Sequence, residues 1–357
     1  MIRSTRILFA LSVLALALCF KPAHAQFGDA GEILRSGVND AELLLGEYMR
    51  PAAEGFSTGL NTGWFTTAGT HSLLGFSLTF RANVSAMPSN LKTFQFADLA
   101  LENTRPVDGS TSASTIIGPK NGTTMGIFGT NPITNAEQEL ARFDIPEGIN
   151  FSYIPTAMAQ LNVGIIKNTD ISFRYMPPVS YSQIGLEAGM YGVGFKHDIK
   201  QWIPVIKYVP IDVSLAAGFT SFTATSEANV QPGSGAINTY PQNHWDDQEI
   251  SLNATGTNVN LLVGKSIPLV SAYVGVGYET SSTTLKAEGN YPVEGINAMG
   301  MREIESFTDP INLSFDGSNS VRGLAGVRLK FFLLTVSADV VVADVTVGSL
   351  GLGISFR

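Results

Sequence analysis

Cysteine occurs once in the 357 residues, at Cys19, and histidine four times; Asp, Glu, Lys and Arg together make up 15%, against about a quarter in an average soluble domain. A lone cysteine excludes a disulfide framework and a cysteine-built zinc site. Beyond the first 25 residues no apolar run approaches the roughly 18 residues that a spanning helix needs, although 44% of the chain is hydrophobic. The excess of 30 acidic over 22 basic residues, a formal charge of −8, argues against a nucleic-acid partner, whose backbone phosphates would repel it.

Residues 1–25 read as a signal peptide. Arg3 and Arg6 form the basic start, Ile7 to Phe20 the apolar stretch, and Ala23-His24-Ala25 the small-residue cleavage site. Leu18 stands where lipoprotein processing would want a small residue, so Cys19 is not a lipidation site. The expected mature chain begins at Gln26, is exported, and carries no thiol.

High hydrophobic content without hydrophobic runs is what period-two alternation produces. In the last 37 residues Val321, Gly323, Ala325, Val327, Leu329 and Phe331 oppose Arg322, Leu324, Gly326, Arg328 and Lys330. Next, Leu334, Val336, Ala338, Val340 and Val342 oppose Thr335, Ser337, Asp339 and Val341, and Leu350, Leu352, Ile354 and Phe356 oppose Ser349, Gly351, Gly353 and Ser355. These are strands with one smooth aliphatic face and one polar, charged face. A barrel with lipid outside and a wet lumen wants that division, and it must be closed, because an open edge in hydrocarbon has no hydrogen-bond partner. The fold class is therefore all-β: a transmembrane antiparallel β-barrel in the bacterial outer membrane, with Arg81, Arg174, Arg322, Arg328, Lys330 and Asp339 facing the lumen.

Ahead of the barrel, Leu34, Val38, Ala41, Leu45 and Tyr48 recur at helical spacing between Asp29 and Arg50, and Pro51 is expected to end the helix. The domain reading is 1–25 signal peptide, 26–58 N-terminal helical segment, 59–357 barrel. The stripe Leu34, Val38, Ala41 and Leu45 either plugs the lumen, against a pocket for a small hydrophobic ligand, or belongs to a periplasmic tail. From Ala157 onward nine strands are legible, and three or five before them give twelve or fourteen. Residues 100–148 lose the alternation and read as a long outer insertion with a short helix at Asn135–Arg142. A phase change near Gly189 predicts a bulge in that strand. The tight turns near Lys167, Pro268 and Phe332 fall on one side, and the long loops 226–248 and 288–320 on the other, as in outer-membrane barrels.

Chemistry-bearing motifs are few. Gly55-Phe56-Ser57-Thr58-Gly59 matches the nucleophile-elbow pattern but lacks the preceding buried strand. His71, His197 and His244 have no serine and acid placed beside them by spacing, and His244, Asp246, Asp247 and Glu249 lack the spacing of a calcium loop, so they read as a solvated acidic loop. No enzyme activity, metal or cofactor is expected; lipid is the expected partner, and oligomeric state is not legible.

The block Asn61-Thr62-Gly63-Trp64-Phe65, the run from Ile154-Pro155 to Arg174-Tyr175-Met176-Pro177-Pro178, the stretch Gly194 to Pro204 and the ending Gly351 to Arg357 resemble a poorly characterised family of bacterial outer-membrane β-barrel proteins. An N-terminal helix ahead of such a barrel is more distantly similar to FadL-type transporters of hydrophobic compounds. That resemblance implies a channel or transporter for small hydrophobic compounds. A general diffusion porin, an outer-membrane lipid-modifying enzyme and an adhesive surface protein stand as alternatives. The Asn-Pro-Ala signature of the FadL hatch is absent, so no ligand residue is carried over.

Overall fold

The computed structural model describes residues 38–130, 135–181, 185–204, 206–233, 235–297 and 299–356. The signal peptide and Leu34 lie outside these residues. In chain order the elements are α1 (Val38–Asn61), β1 (Phe76–Ala86), β2 (Thr93–Gln95), β3 (Thr104–Pro106), β4 (Ser112–Ser114), β5 (Thr123–Thr130), β6 (Glu137–Ile145), β7 (Tyr153–Ile165), β8 (Thr169–Tyr181) and β9 (Leu186–Asp198). They continue as β10 (Asp212–Glu227), β11 (Glu249–Ser266), β12 (Val270–Glu288), β13 (Asn290–Ile296), β14 (Arg302–Thr308), β15 (Ile311–Phe331), β16 (Leu334–Val342) and β17 (Thr346–Phe356).

Ten strands close an antiparallel barrel in the order β1-β17-β16-β15-β12-β11-β10-β9-β8-β7. The expectation of twelve to fourteen is corrected to ten. The nine strands from Ala157 onward are all in the wall, and a single strand, β1, precedes them, pairing with β17 on one side and β7 on the other. The described residues between β1 and β7 supply no further wall strand. They build two small sheets, β3-β5-β6 and β2-β4, so the insertion is not structureless, and the helix expected at Asn135–Arg142 is the strand β6. Its alternating Glu, Leu and Arg side chains pair against β5, a tertiary choice that helical propensity could not reveal.

The outward face carries the bulky apolar residues in register. Phe80 sits opposite Leu352, Leu261 opposite Val276, and Val336 opposite Leu352 from the other side, all exposed. Trp202, Tyr208 and Phe332 stand out at the tight-turn end and Phe151 and Tyr153 at the other, amphipathic or aromatic residues at the two rims of an apolar belt. No helix of the described residues is long and apolar enough to cross a membrane. The predicted bulge lies one strand over. Met176 pairs with Met190 and Val179 with Ala188, so Pro177 and Pro178, which includes no backbone donor, oppose the single Gly189.

Pro51 does not end α1, which runs through it to Asn61. A mid-helix proline forfeits one backbone bond, at about 3 kcal/mol. Both halves of this helix are held by their surroundings, and that burial outweighs the loss. At its start Ala41, Leu44 and Tyr48 pack with Phe94, Phe96, Met125, Phe143 and Tyr291 of the small sheets and the β13–β14 hairpin, forming the core of a cap over the long-loop end. Further on, Ala53 meets Leu285 and Phe315 and Leu60 meets Met158, Met190, Phe222 and Ala254, all from wall strands.

Candidate functional site: the plugged lumen

Descending the barrel, α1 keeps step with the wall. Glu42 accepts from the Asn312 N–H at the cap end of β15, Thr283 donates to the Ala53 carbonyl, and the Asn61 side chain donates to the Thr280 carbonyl. Beyond the helix, the Tyr273 hydroxyl donates to the Phe65 carbonyl at 3.0 Å and Ser214 to that of Ala68 at 2.7 Å. Thr67 reaches Ser266 at the tight-turn end. Residues 38–75 therefore thread the lumen from cap to tight turns before β1 begins. Residues 62–75 connect α1 to β1 without forming a strand, so the plug extends past the expected limit at residue 58.

Close approach to the wall explains the elbow-like motif. Gly55 and Gly59 lie four residues apart on one helix face. A Cβ on Gly55 would meet Met87 Sδ at 2.7 Å and one on Gly59 the Thr156 Oγ1 at 2.8 Å. Ser57, between them, is buried and donates to the Ala53 carbonyl at 3.0 Å, a helix-internal bond.

The helix ends in mid-barrel, where its last carbonyls have no helical partner and carry the negative end of the helix dipole. The wall supplies the donors. Asn83 gives Nδ2–H to the Gly59 carbonyl at 2.9 Å, and Asn258 and Arg322 both donate to that of Asn61, at 3.2 and 3.3 Å. Arg174 donates to the Leu60 carbonyl at 2.7 Å and to that of Thr62 at 2.9 Å. Its remaining bonds go to Thr220 Oγ1 at 3.1 Å and Gln160 Oε1 at 2.9 Å. Gly63 then turns the chain with φ of +78°, where a side chain would be strained and would strike Arg81.

Trp64 locks this arrangement. The Arg174 guanidinium lies 3.7 Å over its ring, a cation–π stack. Beneath the ring Gly194 and Gly218 face each other across β9 and β10; a Cβ on Gly194 would meet Trp64 Cζ3 at 2.6 Å. Two paired glycines thus leave a flat seat the width of an indole. The Trp64 carbonyl accepts from Gln160 at 2.9 Å.

Three other lumenal cations have acid partners: Arg81 pairs with Asp339, Arg322 with Glu279 at 2.9 Å, and Lys196 with Asp170 at 3.2 Å. Arg81 also donates to the Phe65 carbonyl at 3.2 Å, and Lys196 to that of Gly69 at 2.6 Å. Among the described residues Arg174 has no ion-pair partner; every acceptor it meets is neutral. Arg328, half-buried, donates to Ser271 at 3.2 Å, and Lys330 lies at the tight-turn rim, partly exposed.

Of the residues expected to form a plug stripe, Ala41 is buried in the cap and Val38 and Leu45 are half-buried there. The lumen itself is filled by Leu60, Asn61, Thr62, Trp64 and Phe65, which the helical-stripe reading passed over, and by the wall residues Gln160, Lys196, Tyr273 and Glu279. The polar members of the wall set occupy the inward phase of their strands, a signal period-two reading holds in principle. His71 bonds Asp170 with its backbone N–H at 2.9 Å and its Nδ1 at 3.0 Å, His197 meets Thr169 and Trp202, and His244 meets Ser306. No group of three or more metal-ligating side chains occurs among the described residues.

No curated protein matches the chain. Solved structures to which it is similar include the attachment invasion locus protein Ail of Yersinia pestis in complex with sucrose octasulfate, at 9% identity over 79% of this chain and 97% of that one, TM-score 0.25. The outer membrane protease OmpT of Escherichia coli gives 8% identity over 81% and 99%, TM-score 0.28, and the outer membrane transporter YddB of Escherichia coli 10% over 76% and 39%, TM-score 0.29. TM-scores of that size leave function to the geometry of the lumen. A family model matches residues 3–356, nearly the whole length, and the chain belongs to that family, a family of unknown function (DUF6588).

Proposed function

We propose that the protein is an outer-membrane channel, held shut by its own N-terminal segment, for small polar solutes with a preference for anions. The closed barrel with its apolar outer belt supports the membrane setting. The threaded segment supports a shut ground state rather than an open diffusion pore. One observation carries the choice of solute: Arg174 is a buried cation with no acid partner among the described residues, and two of its four hydrogen bonds go to carbonyls of the plug. If residues 60–64 shift, Arg81, Arg322 and Lys196 keep their acids on the wall, while Arg174 is left with Thr220 and Gln160 and presents an unbalanced positive charge to the lumen. A low-dielectric wall focuses such a charge on passing anions. The hydrophobic-compound reading needs an apolar pocket, whereas the apolar side chains near the helix end, Leu60, Trp64 and Phe65, are already packed against wall residues, and the groups that meet the plug carbonyls are Arg, Asn, Gln, Thr and Tyr.

The test uses the full chain with Trp64→Ala, which unseats the plug and keeps Arg174. In planar bilayers across a potassium chloride gradient, the parent should conduct little and the variant should conduct with a reversal potential on the chloride side. Cation preference in the variant would overturn the choice of solute, and silence from both proteins would overturn the channel reading.

A further inference from the structure

The direction in which the plug threads the barrel decides on which face of the membrane α1 starts. A helix that entered from the tight-turn side would need its first residues there and its last at the cap. The observed order is the reverse. Asp40 is buried at the cap, where its carboxylate accepts from the backbone N–H groups of Glu102 and Asn103, at 2.8 and 2.9 Å, and from Thr104 Oγ1 at 2.7 Å. Tyr48, two turns on, accepts at its carbonyl from the Ile116 N–H at 3.0 Å. At the other end the Leu74 N–H donates to the Gly164 carbonyl beside the β7–β8 turn at 2.9 Å, and β1 then climbs the wall back toward the cap.

We infer that the barrel carries residues 38–75 through its lumen and holds the start of α1 on the long-loop face, which is the cell exterior. The inference rests on the outer-membrane setting of the proposed function and on the orientation expected of such barrels, tight turns inside and long loops outside. It adds that the plug is a threaded stretch of chain anchored at both ends: by Asp40 and the Ala41, Leu44 and Tyr48 cluster in the cap, and by its covalent continuation into β1 below. Such a plug cannot swing out of the lumen into the periplasm as a hinged cork would, because its N-terminal half would have to be drawn back through a lumen ringed by Asn83, Arg174, Asn258 and Arg322. Opening must therefore be a rearrangement within the lumen, at the helix end, and the start of α1 at Val38 stands on the outer face.

Three single-cysteine variants of the full chain, each with Cys19→Ser, separate the possibilities. Asn39→Cys probes the start of α1, which is exposed; Asn229→Cys probes the loop after β10; and Leu269→Cys probes the tight turn before β12. Intact cells are treated with a membrane-impermeant maleimide, and lysed cells serve as the measure of full labelling. Labelling of Asn39→Cys and Asn229→Cys in intact cells, with Leu269→Cys labelled only after lysis, is the expected result. If Asn229→Cys labels in intact cells and Asn39→Cys only after lysis, the threading inference fails while the orientation stands. If Leu269→Cys labels in intact cells and Asn229→Cys does not, the orientation itself is overturned.

Discussion

Replacing Arg174 by Met should unseat the plug without opening the barrel wall. The side chain is almost fully buried and makes two bonds to plug carbonyls, two to wall side chains, and a stack on Trp64. Leaving a buried carbonyl without its donor costs about 1–3 kcal/mol. Each carbonyl keeps one long bond at 3.4 Å, Leu60 from Thr220 and Thr62 from Asn83, so the cost falls toward the lower part of that range. Loss of the cation from the helix C-terminus adds up to about 2 kcal/mol in a partly buried setting, and the lost stack about 0.5–2 kcal/mol. Removing a buried charge also relieves its own desolvation cost, so these terms do not sum. A net loss of about 2–4 kcal/mol in plug seating is expected, which at 1.36 kcal/mol per decade is a rise of roughly 30- to 900-fold in the unseated population. The readout is the rate at which a small maleimide modifies Thr62→Cys, a position with no exposure in the seated state, in the full chain carrying Cys19→Ser. The gel shift between unheated and boiled samples reports that the barrel is still closed. An unchanged modification rate with an intact barrel would show that Arg174 does not hold the plug, and the reasoning from helix-end carbonyls would fall with it.

Leu352→Arg places a charge on the outer belt between Phe80 and Val336 and should destabilise the barrel in lipid by about 2–4 kcal/mol in a urea titration; a loss below about 1 kcal/mol would put this position at the interface rather than in hydrocarbon. In the cap, burial, and then the nearby Asp309, Glu249 and Glu288, push the Tyr291 phenol from 10.0 up to about 12. The folded value is the higher one, so its contribution to cap stability is complete below pH 10.0 and disappears as pH rises through about 12. Tyr291→Phe should remove that part of the alkaline loss, seen in hydrogen exchange of the β13–β14 hairpin, and identical alkaline profiles for the two proteins would contradict it.

The sequence alone determined the barrel wall. Period-two alternation is a local property of each strand, and lipid outside with a polar lumen inside imposes it on every one. From Ala157 to the C-terminus the nine strands could therefore be read individually, and the side of each connection could be assigned from its length. Closure was decided by tertiary structure. Whether β1 meets β7 directly or through further strands depends on pairing across an insertion of more than sixty residues, about which local pattern is silent. The same holds for the small sheets of the cap, whose short strands are stabilised by α1 as much as by each other. Pro51 illustrates the limit from the other direction: its helix-breaking tendency is intrinsic, and the packing that overrides it comes from residues hundreds of positions away. The lumenal site was legible only in part. Arg81, Arg174, Arg322 and Asp339 could be named from their phase, but their task could not, because their partners are backbone carbonyls. A carbonyl is the same in every residue and leaves no mark on the sequence; that Arg174 answers to Leu60 and Thr62 is a fact of three dimensions, set by where a helix happens to end inside a closed wall.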